Sequence, residues 1–242
     1  MDKTSFEQNI YRNWAAHFGQ AAEITSQPGT TLIREEKYRG DQDVALWYIG
    51  KHTFAQFDPD LTNMVEGALA QFPADQSLTA DALAVILGSK QIASRDKGRM
   101  LYLYPGDLPA YMPPAPYVLR PLTLADAGAL LALKGFLTAE EVEDGYVEVN
   151  HQIAFGCFDG NKLVAAASGY ELAGFMDIGV LTHSAFRRQG LGKAVVGALS
   201  AWAIQNGYIA QYRHDLTNIN SASVANSLNF SLFGEEETLW IK

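Results

Sequence analysis

The chain has 242 residues, 48% of them hydrophobic and 19% charged, a composition that supports a packed core in one large domain or two small ones and excludes a disordered or fibrous chain. Its net charge of −9 argues against nucleic acid as the main partner. One cysteine, Cys157, excludes an intramolecular disulfide; with no signal-peptide core at the N-terminus and no apolar run near the ~18–20 residues of a membrane span, these features point to a cytoplasmic protein that works away from membranes.

Apolar residues at Ile10, Trp14 and Phe18 predict a helix over Phe6–Phe18. Thr30–Arg34 and Val44–Ile49 read as strands, connected through the polar Arg39–Asp43 turn. Asp60 suits the N-cap of a helix running to about Phe72. Leu78–Leu87 reads as a second helix capped at Thr79, and Met100–Tyr104 as a short strand. The aromatics Trp47, Tyr48, Phe54 and Phe57 alternate poorly and read as core. Residues Tyr104–Tyr117 then hold five of the nine prolines. Proline fixes φ and removes amide donors, so an extended linker is predicted over 105–116, between domains at 1–104 and 117–242.

After the linker, Val118–Arg120 reads as a strand and Thr123 as the cap of a helix over Leu124–Leu133. A helix over Ala139–Gly145 follows, then strands at Gln152–Phe158 and Lys162–Tyr170 joined by the Asp159-Gly160-Asn161 turn. Met176–Thr182 is a further strand. A glycine-rich turn leads into a helix over Leu191–Asn206, ended by Gly207. Tyr208–Arg213 reads as a strand, Ser221–Leu228 as a helix and Leu232–Ile241 as a final strand pair.

The chemistry concentrates in the turn Arg187-Arg188-Gln189-Gly190-Leu191-Gly192-Lys193. A helix leaves its first amides unpaired and its dipole puts partial positive charge there. Gly190 and Gly192 let backbone approach a phosphate, and Arg187, Arg188 and Lys193 add charge. The surroundings favour an anion too: residues 1–150 hold 12 Lys and Arg against 20 Asp and Glu, whereas residues 151–242 hold 6 against 7. A P-loop would need Gly at 187 and Ser or Thr at 194, where Arg187 and Ala194 stand. A dinucleotide fingerprint would need a small residue where Val195 stands. Two readings of the turn remain, a phosphate cradle or a tight strand–helix connection. Further on, Asn218-Ile-Asn-Ser221 precedes Leu228-Asn229-Phe230; Asn218, Asn220 and Ser221 also suit helix capping, Asn220 most of all.

These two elements, about thirty residues apart, resemble the acetyl-CoA-binding segments of the GNAT superfamily of N-acetyltransferases. The likeness covers the C-terminal half, where the order of elements from Tyr117 to Lys242 also matches. It implies a GNAT-like mixed central sheet flanked by helices; with the elements read before the linker the fold class is α+β, this sheet being preceded by a smaller α+β N-terminal domain that either covers the acceptor side of the site or is a degenerate GNAT-like copy. It also implies acetyl-CoA as acyl donor, lying where the strands at 176–182 and 208–213 splay apart. The backbone of Val180, Leu181 and Thr182 pairs with the pantetheine arm. Arg187 and the amides of Arg188, Gln189, Gly190, Leu191, Gly192 and Lys193 hold the pyrophosphate, and Asn218 and Ser221 lie near the thioester. The sequence departs from the family in three places: Ala225 stands where the family often has a Tyr acid, Asn229 where it has Gly, and Thr182 where it has Val.

The resemblance implies direct attack by an amine on the thioester, with no acyl-enzyme and no metal. Cys157, in an apolar strand, then reads as a structural thiol. Asp177 is the first candidate base, Glu171 the second, and His214 has a suitable pKa range. Ser221, Tyr208 and Tyr212 are candidate acids in no order, with a bound water as the alternative. The implied partner is a small-molecule or aminoacyl amine, with neither nucleic acid nor membrane. The rival is a catalytically silent CoA-binding or interaction module, which Ala225 favours.

Overall fold

The computed structural model describes residues 2–242. In chain order its elements are α1 (Lys3–His17), β1 (Gly29–Arg34), β2 (Asp43–Ile49), β3 (His52–Phe57), α2 (Thr62–Leu69), α3 (Ala80–Leu87), β4 (Ile92–Tyr102), β5 (Val118–Pro121), α4 (Ala127–Lys134), α5 (Ala139–Gly145), β6 (Ile153–Asp159), β7 (Lys162–Leu172), β8 (Phe175–Thr182), α6 (Leu191–Gln205), β9 (Ile209–Asp215), α7 (Ile219–Ser227) and β10 (Ser231–Ile241). The fold is mixed α+β, with sheets flanked by helices. The chain forms two compact units, residues 1–100 with 233–242, and residues 101–232. These differ from the division read from composition. The proline-rich segment lies within the second unit, where Leu108 and Tyr111 pack against its core, and the last strand belongs to the first.

In the first unit the strands run in the order β1-β3-β2-β10-β4. β3 has no counterpart in the sequence reading, because all six of its residues are buried and leave no alternation to read. It pairs antiparallel with β2 and parallel with β1. β4 starts at Ile92, eight residues before the strand predicted at Met100. Its charged stretch is held by the neighbouring strand: Arg95 Nε donates to Glu237 at 2.7 Å, and Lys97 Nζ lies 2.8 Å from Glu235. The predicted strand pair at the C-terminus is one strand, β10. Asp58, rather than Asp60, caps the turn before α2, accepting from the amides of Asp60, Gly40 and Gln42 at 2.8–2.9 Å. The core gathers Val44, Leu46, Phe57, Val65 and Leu83.

In the second unit the order is β9-β8-β7-β6-β5. β5 to β8 are antiparallel neighbours, and β9 pairs with β8 in parallel. Strand alternation sorts the side chains onto two faces. Ala165, Ala167, Met176 and Ile178 pack beneath α6, with Ala194, Val195 and Leu199, in the larger core cluster. Ala166 and Leu181 face the opposite side, with Leu130 and Leu133 of α4.

On that side α5 rests on β8 with almost no space between backbones. A Cβ on Gly179 would lie 2.0 Å from the Gly145 carbonyl oxygen, and one on Gly145 would lie 2.3 Å from Leu181 Cδ2. Only glycine fits at either position. Gly179→Ala is therefore expected to destabilise the protein on the order of 1–3 kcal/mol, as overpacking does. Gly128→Ala on α4, whose Cβ would meet nothing within 4 Å, is expected to leave stability unchanged or raise it. Urea unfolding of the two variants checks the contrast.

Candidate functional site

Pairing between β8 and β9 covers only Phe175↔Ile209, Met176↔Ala210 and Asp177↔Gln211. Beyond that the strands diverge, so the edge of β8 from Ile178 to Thr182 has no strand beside it. The gap is a cleft of about 460 Å³ lying within the second unit. Its walls are Ile178–Thr182 of β8, the Arg187–Lys193 turn, Tyr212 and Arg213 of β9, Asn218, Ser221 and Val224 of α7, and Glu141, Asp144 and Gly145 of α5. An unpaired strand edge is a row of amides and carbonyls open to an extended ligand.

The glycine-rich turn meets the cleft at the N-terminus of α6. Gly190 is the N-cap, with φ 77°, and Arg188 is also left-handed at φ 62°. The first intrahelical bond runs from Ala194 N–H to Gly190 C=O at 3.0 Å, so the amides of Leu191, Gly192 and Lys193 have no acceptor within the helix. Arg187, Arg188, Gly190, Leu191, Gly192 and Lys193 all line the cleft; Gln189 does not. Arg187 is already committed: its Nη2 donates to Glu141 Oε1 at 2.6 Å. The hydrogen bond from the Thr138 amide first, and then the Arg187 contact, hold the Glu141 carboxyl below its usual range against its partial burial. The positive charge left to the turn comes from Arg188, Lys193 and the helix end.

The proline-rich segment packs across the outside of this turn, a contact no sequence pattern announced. Tyr111 Oη lies so close to Gly190 that a Cβ there would be 2.0 Å from it. Lys193 Nζ sits 4.6 Å from the Tyr111 ring centroid. Tyr117 Oη donates to Gln189 Oε1 at 2.5 Å, which is where the Gln189 side chain goes. Asn229 Nδ2 donates to the Asp107 carbonyl at 2.8 Å, and Asn229 takes the left-handed φ of 63° that a Gly would fill there.

None of the three candidate bases lines the cleft. Asp177 is buried on the α5 side of the sheet, where its Oδ2 accepts from Arg213 Nε at 3.0 Å, Arg213 Nη2 at 2.8 Å and Tyr170 Oη at 2.8 Å. Burial and the adjacent carboxylate push the Tyr170 phenol well above its usual pKa. Glu171 is exposed near the end of β7, opposite Met176. His214 is buried, its Nδ1 2.7 Å from the Asp215 carbonyl oxygen. Cys157 is fully buried, and burial pushes its thiol up to about 11, which makes it a poor nucleophile.

Asn218 and Ser221 do line the cleft. Asn218, rather than Asn220, is the cap of α7, accepting from the Ser221 amide at 3.0 Å. Of the candidate acids, Tyr208 lies elsewhere: its hydroxyl accepts from Gln152 Nε2 at 2.5 Å, and its ring stacks on Trp202. Tyr212 and Ser221 share the cleft. The acidic wall of α5 was missed, since nothing in the sequence links Glu141 to Arg187, 46 positions away.

Among the described residues, no group of three or more His, Cys, Asp or Glu is placed to hold a metal ion. Nor is any helix there long and apolar enough to cross a membrane.

Residues 130–230 match the model of the acetyltransferase (GNAT) family. No curated protein matches the chain. Among solved structures, a GCN5-related N-acetyltransferase from Sphaerobacter thermophilus is similar at 12% identity and TM-score 0.56, over 78% of this chain and 71% of that one. A GCN5-related N-acetyltransferase-like protein from Streptococcus suis 89/1591 aligns over 99% of this chain and 100% of its own, at 14% identity and TM-score 0.50. Against a protein described as of the GNAT family from Novosphingobium aromaticivorans DSM 12444, the match spans 61% of this chain and 65% of that one, at 15% identity and TM-score 0.47. At such identities the structural likeness speaks for fold alone. With the family match and the splayed strands, the conclusion is that the C-terminal half of this chain, over residues 130–230, is a GNAT acetyltransferase domain.

Proposed function

We propose that the protein is an acetyl-CoA-dependent N-acetyltransferase that acetylates a small-molecule or aminoacyl amine by direct attack within a ternary complex. One observation carries the reading: the open edge of β8 and the unpaired amides of α6 face the same cleft. An extended arm ending in a pyrophosphate fits that pair of features. The pantetheine arm adds to Val180, Leu181 and Thr182 as a strand would. The pyrophosphate meets the amides at Arg188–Lys193 and the Arg188 and Lys193 side chains, and Asn218 and Ser221 border the acyl end. Gln189 and Arg187 serve the turn from behind, through Tyr117 and Glu141.

Acyl transfer needs the thioester held in line with an amine that has lost its proton. No metal enters this scheme. The acceptor amine approaches along α5, whose Asp144 lines the cleft and suits a cationic substrate; Glu141 beside it is already paired with Arg187. Asp177 contributes as the partner that fixes Arg213 at the cleft floor, rather than by touching the amine. Glu171 has no such link to the cleft. The buried lone thiol fits work in the reducing cytoplasm.

A second reading, a silent CoA-binding module, draws on two observations: all three candidate bases sit outside the cleft, and Ala225 is buried core. It predicts CoA binding with no turnover.

Calorimetric titration with CoA, followed by release of free thiol from acetyl-CoA over an amine library, separates these cases. Binding with turnover supports the enzyme, binding alone supports the module, and no binding at millimolar CoA contradicts both. Arg188→Ala and Lys193→Ala are each expected to weaken CoA about tenfold or more, the worth of a hydrogen bond to a charged group. Tyr111→Ala is expected to cost about 0.5–1 kcal/mol of CoA affinity through Lys193. Tyr111→Phe, which keeps the ring, is expected to restore that affinity, and binding of acetyl-pantetheine, which lacks the pyrophosphate, to stay unchanged in both variants. Titration of both ligands against the two proteins checks this.

A further inference from the structure

His183 joins the end of β8 to the phosphate turn, and three of its groups hold the chain there. Its amide donates to the Val164 carbonyl of β7 at 2.9 Å, and its carbonyl accepts from the Phe186 amide at 2.8 Å. Its ring Nδ1 accepts from the Ala185 amide at 3.1 Å, as a side-chain oxygen does at the start of a helix. The short turn Ser184–Phe186 is therefore capped by an imidazole. Phe186 and Arg187, which follow, line the cleft, whereas His183 does not. It shapes the approach to the α6 amides from behind.

The surroundings leave the ring no place for a second proton. It is 4% exposed. It stacks on Phe136 with centroids 4.1 Å apart and meets Phe186 edge-on at 5.1 Å. Lys162 Nζ, at the head of β7, lies 2.9 Å from the ring Nε2 and over both phenyl rings. Each ring nitrogen thus faces a group that donates. A neutral imidazole has one lone pair and one N–H. The Ala185 amide is fixed by the backbone, so the lone pair belongs at Nδ1 and the proton at Nε2, where the flexible Lys162 chain can yield. A second proton would sit on Nδ1 and point at the Ala185 N–H. The charged groups acting on the ring are Lys162 of β7 and Arg187 of the turn, both cationic. Phe136, from the connection between α4 and α5, adds no charge, and Glu141 of α5 is taken by Arg187. Burial first, then Lys162 and Arg187, push the His183 pKa below its usual value.

Resting on the acyl-CoA reading above, we propose that neutral His183 is the positioning residue of the phosphate turn, and that its protonation releases the turn and weakens the hold on CoA. The proton breaks the cap at Ala185 by setting donor against donor. It also places like charge beside Lys162 and Arg187, in a site too dry to screen it. The folded ring favours the neutral form, so its contribution is full above about pH 6.5, the ordinary histidine value. That contribution is lost as pH falls through the lower value of the folded state.

The test titrates CoA into the wild type, His183→Asn and His183→Ala at about pH 8 and about pH 5.5, on either side of the histidine range. Asparagine keeps an acceptor for the Ala185 amide and does not titrate. In the alkaline arm, His183→Ala is expected to weaken CoA about fivefold, the worth of a lost cap, and His183→Asn to recover that affinity. On acidification the wild type is expected to lose at least about threefold more affinity than His183→Asn. Titration of the CoA phosphates affects both proteins alike and cancels in the ratio. In the free proteins, protection of the Ala185 amide against hydrogen exchange is expected to fall with pH in the wild type and to hold in His183→Asn. Parallel pH profiles in these two proteins would overturn the inference. So would a wild type that gains on the variant in acid, since the new charge would then be attracting phosphate rather than releasing the turn. Failure of the wild type to bind CoA at all would remove the acyl-CoA reading, and Ala185 protection would still decide whether the proton releases the turn.

Discussion

The site depends on a strand pairing that stops. β8 and β9 pair for three residues, and what ends the pairing also makes the cleft. At the last pair, the buried Asp177 carboxylate on β8 takes two hydrogen bonds from Arg213 on β9 and one from Tyr170 on β7. Three adjacent strands are riveted at that height. A buried ion pair gains little net stability over an apolar substitute, but leaving one partner alone is costly, so the pair holds the strands in one register. Past the rivet, β8 follows α5 through the contact of Gly179 with Gly145. β9 instead carries Tyr212 towards α7. Asp177 thus links the three strands at the height where the cleft begins.

The phosphate end is supported in a different way. Two left-handed residues, Arg188 and Gly190, turn the chain from β8 into α6 and leave the first helix amides unpaired. Tyr111 and Tyr117 back this turn from the proline-rich segment. A segment rich in proline gives up few amide hydrogen bonds by running irregularly, which suits it to lie over a turn and pack by its rings. Gly190 is thus required twice, by its φ of 77° and by the Tyr111 hydroxyl that occupies the place of a side chain.

Most of the second unit was legible in the sequence because its signals are local. Thr138 opens α5 with a capping box, the Asp159-Gly160-Asn161 turn joins β6 to β7, and Gly190 and Gly207 bracket α6. What escaped depends on distant partners or on burial. β3 lacks alternation because both its faces are covered. The charged start of β4 is strand only because Glu235 and Glu237 face it across 140 residues of chain. In the site, the turn lines the cleft, apart from Gln189, whereas Asp177 and Glu171 do not. A carboxylate beside a cleft-forming strand is indistinguishable in sequence from one that is buried against an arginine 36 positions away.

The central claim is that one ligand engages the β8 edge and the α6 amides at once. Amide hydrogen exchange, followed residue by residue with and without CoA, tests it most directly. The account predicts slowed exchange at two separated stretches together, Ile178–Thr182 and Arg188–Lys193, with the first-turn amides of α6 most affected. Protection spread evenly over the domain, or confined to residues outside the cleft, would contradict it.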